Sequence, residues 1–174
     1  MLHYHVYMPD MPKRKRIRLD RTLYQMPGSI VAVTVGVDRR IRAFVDGKMA
    51  SECIELLRER SEGKSVSILA YCFMPDHLHL LIRVDAAGDV VDFMRDYKSR
   101  STRIAWKRGY QGRFWQRGYY DHILREHEDP VKQIRYILEN PVRAEIVDQW
   151  SEYPFIGSFT FDIHLPENWE PADR

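Results

Sequence analysis

Apolar residues recur with two different periods along this chain, and the switches between them mark its elements. Residues 29–37 alternate, with Val31, Val33, Val35 and Val37 on one side, as a half-buried strand requires. Over residues 48–62 the spacing lengthens to that of a helix through Met49, Cys53, Leu56 and Leu57, and Gly63 stops it. Residues 65–74 and 77–84 read as two further strands joined by the tight turn Pro75-Asp76, hence as an antiparallel hairpin. The alternation is sharpest in the second of them. Leu78, Leu80, Ile82 and Val84 form a wholly apolar face, while His77, His79, Leu81 and Arg83 share the other. Residues 90–107 return to helical spacing, with Val90, Val91, Phe93, Met94, Tyr97 and Ile104 as core candidates and Gly109 and Gly112 ending the helix. Residues 119–124 predict a short fourth strand. Asp129-Pro130, a capping residue followed by proline at the first helical position, opens a last helix. It runs to residue 139 or 140, where Pro141 ends it.

This order predicts an α+β, ferredoxin-like architecture: an antiparallel sheet with helices on one face and an extra C-terminal helix. The apolar side of the third strand would face the helices and leave His77 and His79 on the open side. Residues 1–28, broken by Pro9, Pro12, Pro27 and Gly28, read as an irregular basic arm. Residues 29–148 read as the folded domain, and 149–174 as an irregular tail bearing Trp150, Tyr153, Pro154 and Phe155.

A length of 174 residues suits one domain, and 44% hydrophobic with 30% charged residues is a globular composition. No apolar run approaches the roughly 20 residues of a membrane span, and no secretory signal opens the chain, so the expected location is the cytoplasm. The two cysteines, Cys53 and Cys72, sit in apolar segments without Cys-x-x-Cys spacing, which argues for buried thiols and against a zinc finger. The net charge of +2 announces no partner, but its distribution does. One basic cluster holds Lys13, Arg14, Lys15, Arg16 and Arg18. A second, over residues 98–117, holds Lys98, Arg100, Arg103, Lys107, Arg108, Arg113 and Arg117, interleaved with Trp106, Tyr110, Phe114 and Trp115. Charge for phosphates mixed with flat rings for unstacked bases suits a single-stranded nucleic acid. Each arginine taken singly suits a solvated helix face equally well.

Two candidate chemical groups stand out. Two imidazoles at strand spacing can hold one divalent cation, though a pair of half-buried histidines has the same spacing. On the last helix Val131, Ile134, Ile137 and Leu138 cluster on one side, and Tyr136 points away from them with Gln133 and Asn140. A core tyrosine belongs with the apolar stripe; this one is either a plain surface residue or a functional one.

The segments MPDHLHLLI, FWQRGYYDHILRE and YILENPVRAEIV, in that order, resemble the single-tyrosine HUH transposases, and within them the REP-associated tyrosine transposases. The resemblance runs over residues 30–158. It implies that Tyr136 is the nucleophile on a catalytic C-terminal helix, and that His77, His79 and Asn140 ligate a catalytic Mg²⁺ or Mn²⁺. The implied reaction is metal-dependent cleavage and joining of single-stranded DNA through a 5′-phosphotyrosine, on hairpin-forming repeats, by a monomer, with dimers known among relatives. By the same analogy Lys13, Arg14, Arg16, Lys98, Arg103, Lys107, Arg113 and Arg117 would contact the DNA. Tyr119 and Tyr120 adjoin the Phe-Trp-Gln element rather than the Asn-Pro turn and rank behind Tyr136. Many relatives close on an aromatic-Pro-Trp-Ser-Ser signature; here the run departs from it as Tyr153-Pro154-Phe155-Ile156-Gly157-Ser158.

Two other classes of function compete. A ferredoxin-like module that binds single-stranded nucleic acid without cutting it would use the basic and aromatic residues, but it leaves the His-x-His strand and the Tyr136–Asn140 spacing as coincidence. A zinc hydrolase would need a third ligand near His77 and His79, with Asp76 or His122 as the possibilities.

Overall fold

The structure, a computed structural model, describes residues 20–165; the basic run containing Lys13, Arg14 and Arg16 lies outside the described residues. Five strands form one antiparallel sheet: β1 (Ile30–Gly36), β2 (Val66–Met74), β3 (His77–Val84), β4 (Tyr120–Ile123) and β5 (Ile156–Gly157), in the order β4-β1-β3-β2-β5. The first four strands have the ferredoxin-like arrangement that the element order predicts. Helices α1 (Gly47–Glu62) and α2 (Val90–Lys107) follow β1 and β3, and α3 (Pro130–Leu138) and α4 (Asn140–Arg143) follow β4. No helix among the described residues is long and apolar enough to cross a membrane.

Local chemistry fixes the helix starts. The Asp46 carboxylate accepts from Lys48 N at the head of α1, and Asp89 accepts from Val91 N and Asp92 N at the head of α2. Gly88 precedes that cap because the chain runs against β2 there: a Cβ would stand 2.2 Å from Ser65 O. Asp129 caps α3 by accepting from Val131 N, with Pro130 in the first turn.

The alternation in β3 divides the core in two. Leu78, Leu80, Ile82 and Val84 join Val31, Val33 and Val35 beneath α1 and α2, through Met49, Cys53, Leu57, Phe93, Met94 and Tyr97. Leu81 lies on the other face with Ala70, Cys72 and Met74, against Ile134, Ile137 and Leu138 of α3. A register shift in β2 between Ile68 and Ala70 makes Leu69 an extra residue, so Leu69 and Ala70 both serve this second core. Both thiols are free and buried, and burial raises them, Cys53 to about 12.

The face opposite α1 and α2 is therefore not left open: α3 and the tail cover it, because Ile134, Ile137 and Leu138 need apolar partners that β2 and β3 supply. The second departure concerns the tail itself. Within the stretch expected to be irregular, Ile156–Gly157 pairs with β2, Phe73 N donates to Phe155 O at 2.9 Å, and the Tyr153 hydroxyl donates to Phe73 O at 2.7 Å. The tail thus covers an otherwise bare sheet edge. The third concerns Pro141. It sits in the first turn of α4 rather than ending a longer helix, since its missing N–H costs nothing there. Residues expected in the arm contribute too, as Tyr24 is buried in the larger core and its hydroxyl donates to Asp121.

The second core predicts its own test. Leu138 is fully buried, so Leu138→Ala is expected to lower unfolding free energy by about 2–5 kcal/mol in a denaturant titration, by loosening α3 from the sheet.

Candidate active site

His77 and His79 project from the α3 side of β3 as the alternation requires, and their rings meet with Nε2 to Nε2 at 3.0 Å. Each ring is oriented from behind. His77 Nδ1 lies 2.6 Å from Asp76 Oδ1, and His79 Nδ1 lies 2.9 Å from Thr34 Oγ1. Thr34 reaches because β1 sets it directly opposite His79, and opposed residues share a face. Asp76 reaches because the tight turn brings it beside the first residue of β3. Burial alone would raise the Asp76 carboxyl, but the His77 hydrogen bond, the His77 charge and Arg40 outweigh it and hold it below its ordinary value. Burial, then the charges of His77 and Arg143, keeps His79 well below the usual imidazole range, with Asp76 opposing. The environment thus favours the neutral ring, the form that can ligate a metal.

The spacing of the pair is compatible with a divalent cation. Ligands at about 2.1 Å on adjacent corners of an octahedron stand about 3.0 Å apart, which is the Nε2 separation here. The outer nitrogens engage a carboxylate and a hydroxyl, as metal-bound histidines generally do. Among the described residues no group of three or more His, Cys, Asp or Glu could hold a metal. Asp76 is spent on His77, with Arg40 Nη1 at 3.5 Å, and His122 is spent on Glu128 at 2.9 Å.

Tyr136 lies on α3 where the helical wheel puts it, off the buried stripe and 47% exposed. The Arg143 guanidinium stacks over its ring at 4.0 Å and donates to Tyr136 O at 2.6 Å. Arg143 is also among the charges that lower His79. Asn140 Nδ2 donates to Tyr136 O and Ile137 O at 3.2 and 3.1 Å, finishing α3; its Oδ1 is the end of the amide left to ligate. Of the two competing tyrosines, Tyr119 packs against the larger core. Tyr120 is opposite Thr34 and so stands on the imidazole face, 44% exposed.

The expected DNA contacts divide similarly. Lys98 Nζ donates to Gln116 O and Gly118 O, both at 2.9 Å, and so acts first as a loop clamp. Arg113 pairs with Asp38 at 2.8 Å. Arg103, Lys107 and Arg117 are exposed. A groove of about 430 Å³ runs between α2 and the loop after it, and its lining includes Lys98, Thr102, Trp106, Arg113 and Gln116. Sequence reasoning missed Thr34, Asp76 as an orienting group, and Arg143. The strand register would have found Thr34, whereas Arg143 depends on the break between α3 and α4.

Orienting groups give a direct expectation. Thr34→Val and Asp76→Asn should each weaken Mn²⁺ binding about 10–100-fold, measured by titration of the DNA-free protein, with Asp76→Asn the larger effect because a charge is lost.

A family model of IS200-like transposases matches residues 28–140. A protein of Haemophilus influenzae described as a REP-associated tyrosine transposase is 25% identical over 156 residues, covering 82% of this chain and 88% of that one. The REP-associated tyrosine transposase of Escherichia coli is 27% identical over 96 residues, 55% of this chain and 56% of that one. The solved structure of a REP-associated tyrosine transposase bound to a REP hairpin superposes with a TM-score of 0.65 at 21% identity, covering 84% of this chain and 82% of that one. The strand order, the paired imidazoles and the helix carrying Tyr136 thus belong to a chain of the IS200-like transposase family, with REP-associated tyrosine transposases among its relatives.

Proposed function

We propose that this transposase is a metal-dependent endonuclease and strand transferase that acts on hairpin-forming single-stranded DNA through a 5′-phosphotyrosine. The observation that carries the reading is the meeting of the two Nε2 atoms at 3.0 Å on the sheet face that α3 covers. His77, His79 and Asn140 Oδ1 would hold Mg²⁺ or Mn²⁺. Such a cation, when bound, offsets charge on the non-bridging phosphate oxygens and on the departing 3′ oxygen.

The chain's own groups do the rest. Tyr136 Oη attacks the phosphorus, the Oη–P bond forms, the P–O3′ bond breaks, and the phenolic proton is balanced on the released 3′ hydroxyl. A free 3′ hydroxyl reverses the step, re-forming the phosphodiester without a nucleotide triphosphate. The reading is of a monomer, with the tyrosine acting at the imidazoles of its own chain. Arg103, Lys107 and Arg117 would meet phosphates, and Trp106 would offer a stacking face along the groove. The likeness to a protein solved with a REP hairpin supports a hairpin as the duplex part of the substrate.

The test is incubation with hairpin-bearing single-stranded DNA, with and without Mn²⁺. A denaturation-resistant protein–DNA adduct that needs the cation is expected. A mobility shift without any adduct would instead make the protein a binding module.

A further inference from the structure

Gly36 is the last residue of β1, and the register sets it directly across from His77. Opposed residues of an antiparallel pair send side chains to the same face, so a side chain at position 36 would stand against the His77 imidazole. The carboxamide of Gln116 takes that place instead. A Cβ on Gly36 would lie 2.9 Å from Gln116 Cδ and 3.0 Å from both Nε2 and Oε1. Near-equal distances to three atoms of a plane mean that the amide lies flat over the missing Cβ, on the imidazole side of the sheet.

The backbone around Gln116 is clamped. Its N–H donates to Gly36 O at 2.9 Å, and its carbonyl accepts from Lys98 Nζ at 2.9 Å. Trp115 before it is buried, bridges to Val37 and donates from Nε1 to Ser101 Oγ at 2.8 Å. With both main-chain groups engaged, only the side-chain amide is unspent, and no hydrogen bond reaches it among the described residues. The amide lies against the Gly36 backbone without a partner among the described residues, and its polar atoms keep access to solvent. A ligand beside His77 reaches it by displacing that water.

We propose that Gln116 is a further catalytic residue, its Nε2 donating a hydrogen bond to a non-bridging oxygen of the scissile phosphate. The assignment rests on the DNA-cleavage reading above. A phosphate held at His77 and His79 lies on the sheet face where the Gln116 amide covers Gly36, the residue across from His77. Its N–H then faces oxygens whose negative charge grows in the transition state, the arrangement of an oxyanion hole.

The test compares wild type, Gln116→Ala and Gln116→Glu in single-turnover adduct formation on hairpin-bearing single-stranded DNA, and titrates Mn²⁺ into each DNA-free protein by electron paramagnetic resonance. Gln116→Ala is expected to slow cleavage on the order of 100-fold while Mn²⁺ affinity stays at the wild-type level. Gln116→Glu keeps size and shape, so it folds as the parent does, but turns an oxygen toward the phosphate and is expected to be slower than Gln116→Ala. Wild-type rates in both variants overturn the assignment. So does a Gln116→Ala variant that loses Mn²⁺ affinity without DNA, which makes the amide a metal ligand. A wild-type protein that forms no adduct overturns the cleavage reading and this assignment together; a wild-type adduct beside fully active variants overturns this assignment alone.

Discussion

Tyr136→Phe is expected to abolish the protein–DNA adduct and to lower strand cleavage by about four to six orders of magnitude, as judged by denaturing electrophoresis and single-turnover kinetics. The change removes one oxygen from an exposed ring. It leaves intact the Ile134, Ile137 and Leu138 contacts that dock α3, so melting should not move. The Arg143 stack over the ring survives as well, since it needs the π-face and not the hydroxyl. Loss of chemistry without loss of fold is what separates a nucleophile from a surface tyrosine. Geometry also names the residue that a failed prediction would point to. Tyr120 shares the imidazole face through Thr34, whereas Tyr119 faces the other core, so an adduct that persists in Tyr136→Phe should vanish in Tyr120→Phe.

His77→Ala and His79→Ala are each expected to lower Mn²⁺ affinity and cleavage by more than about 100-fold, since loss of an outer orienting partner alone typically costs 10–100-fold. The two differ in their side effects. His77→Ala takes from the half-buried Asp76 its hydrogen-bond partner, but Arg40 at 3.5 Å still balances the carboxylate, so the variant should fold normally. His79→Ala leaves Thr34 Oγ1 without its ring partner inside the sheet, and its melting point should fall further. Calorimetric titration with Mn²⁺ and thermal melting of both variants separate the two effects.

Much of the fold was legible because its signals are local. Strict alternation in residues 77–84 gives β3 and both its faces, and Asp89 and Asp129 mark helix starts through capping chemistry that needs no tertiary partner. The tail was not legible, because Ile156–Gly157 is too short to show a period and becomes a strand only against the β2 edge. The same holds for the placement of α3. Its stripe requires a buried face, but which face of the sheet receives it depends on where β2 and β3 present Cys72, Met74 and Leu81.

The site divides along the same line. His77 and His79 pair by spacing within one strand, and the family resemblance singles out Tyr136 and Asn140, four residues apart across the α3–α4 junction. Thr34, Gln116 and Arg143 come from β1, the loop before β4 and the turn after α3, and reach the site through register and chain reversal. At Lys98 composition shows only a charge; the structure adds that its ammonium holds two loop carbonyls.

The most direct measurement is anomalous scattering from crystals of the Tyr136→Phe variant grown with Mn²⁺ and hairpin-bearing single-stranded DNA. One manganese peak shared by His77 Nε2, His79 Nε2 and a phosphate oxygen, with the ring at position 136 facing that same phosphorus, is the predicted result. Manganese bound away from the two imidazoles, or a ring at position 136 out of reach of the metal-bound phosphate, would contradict it.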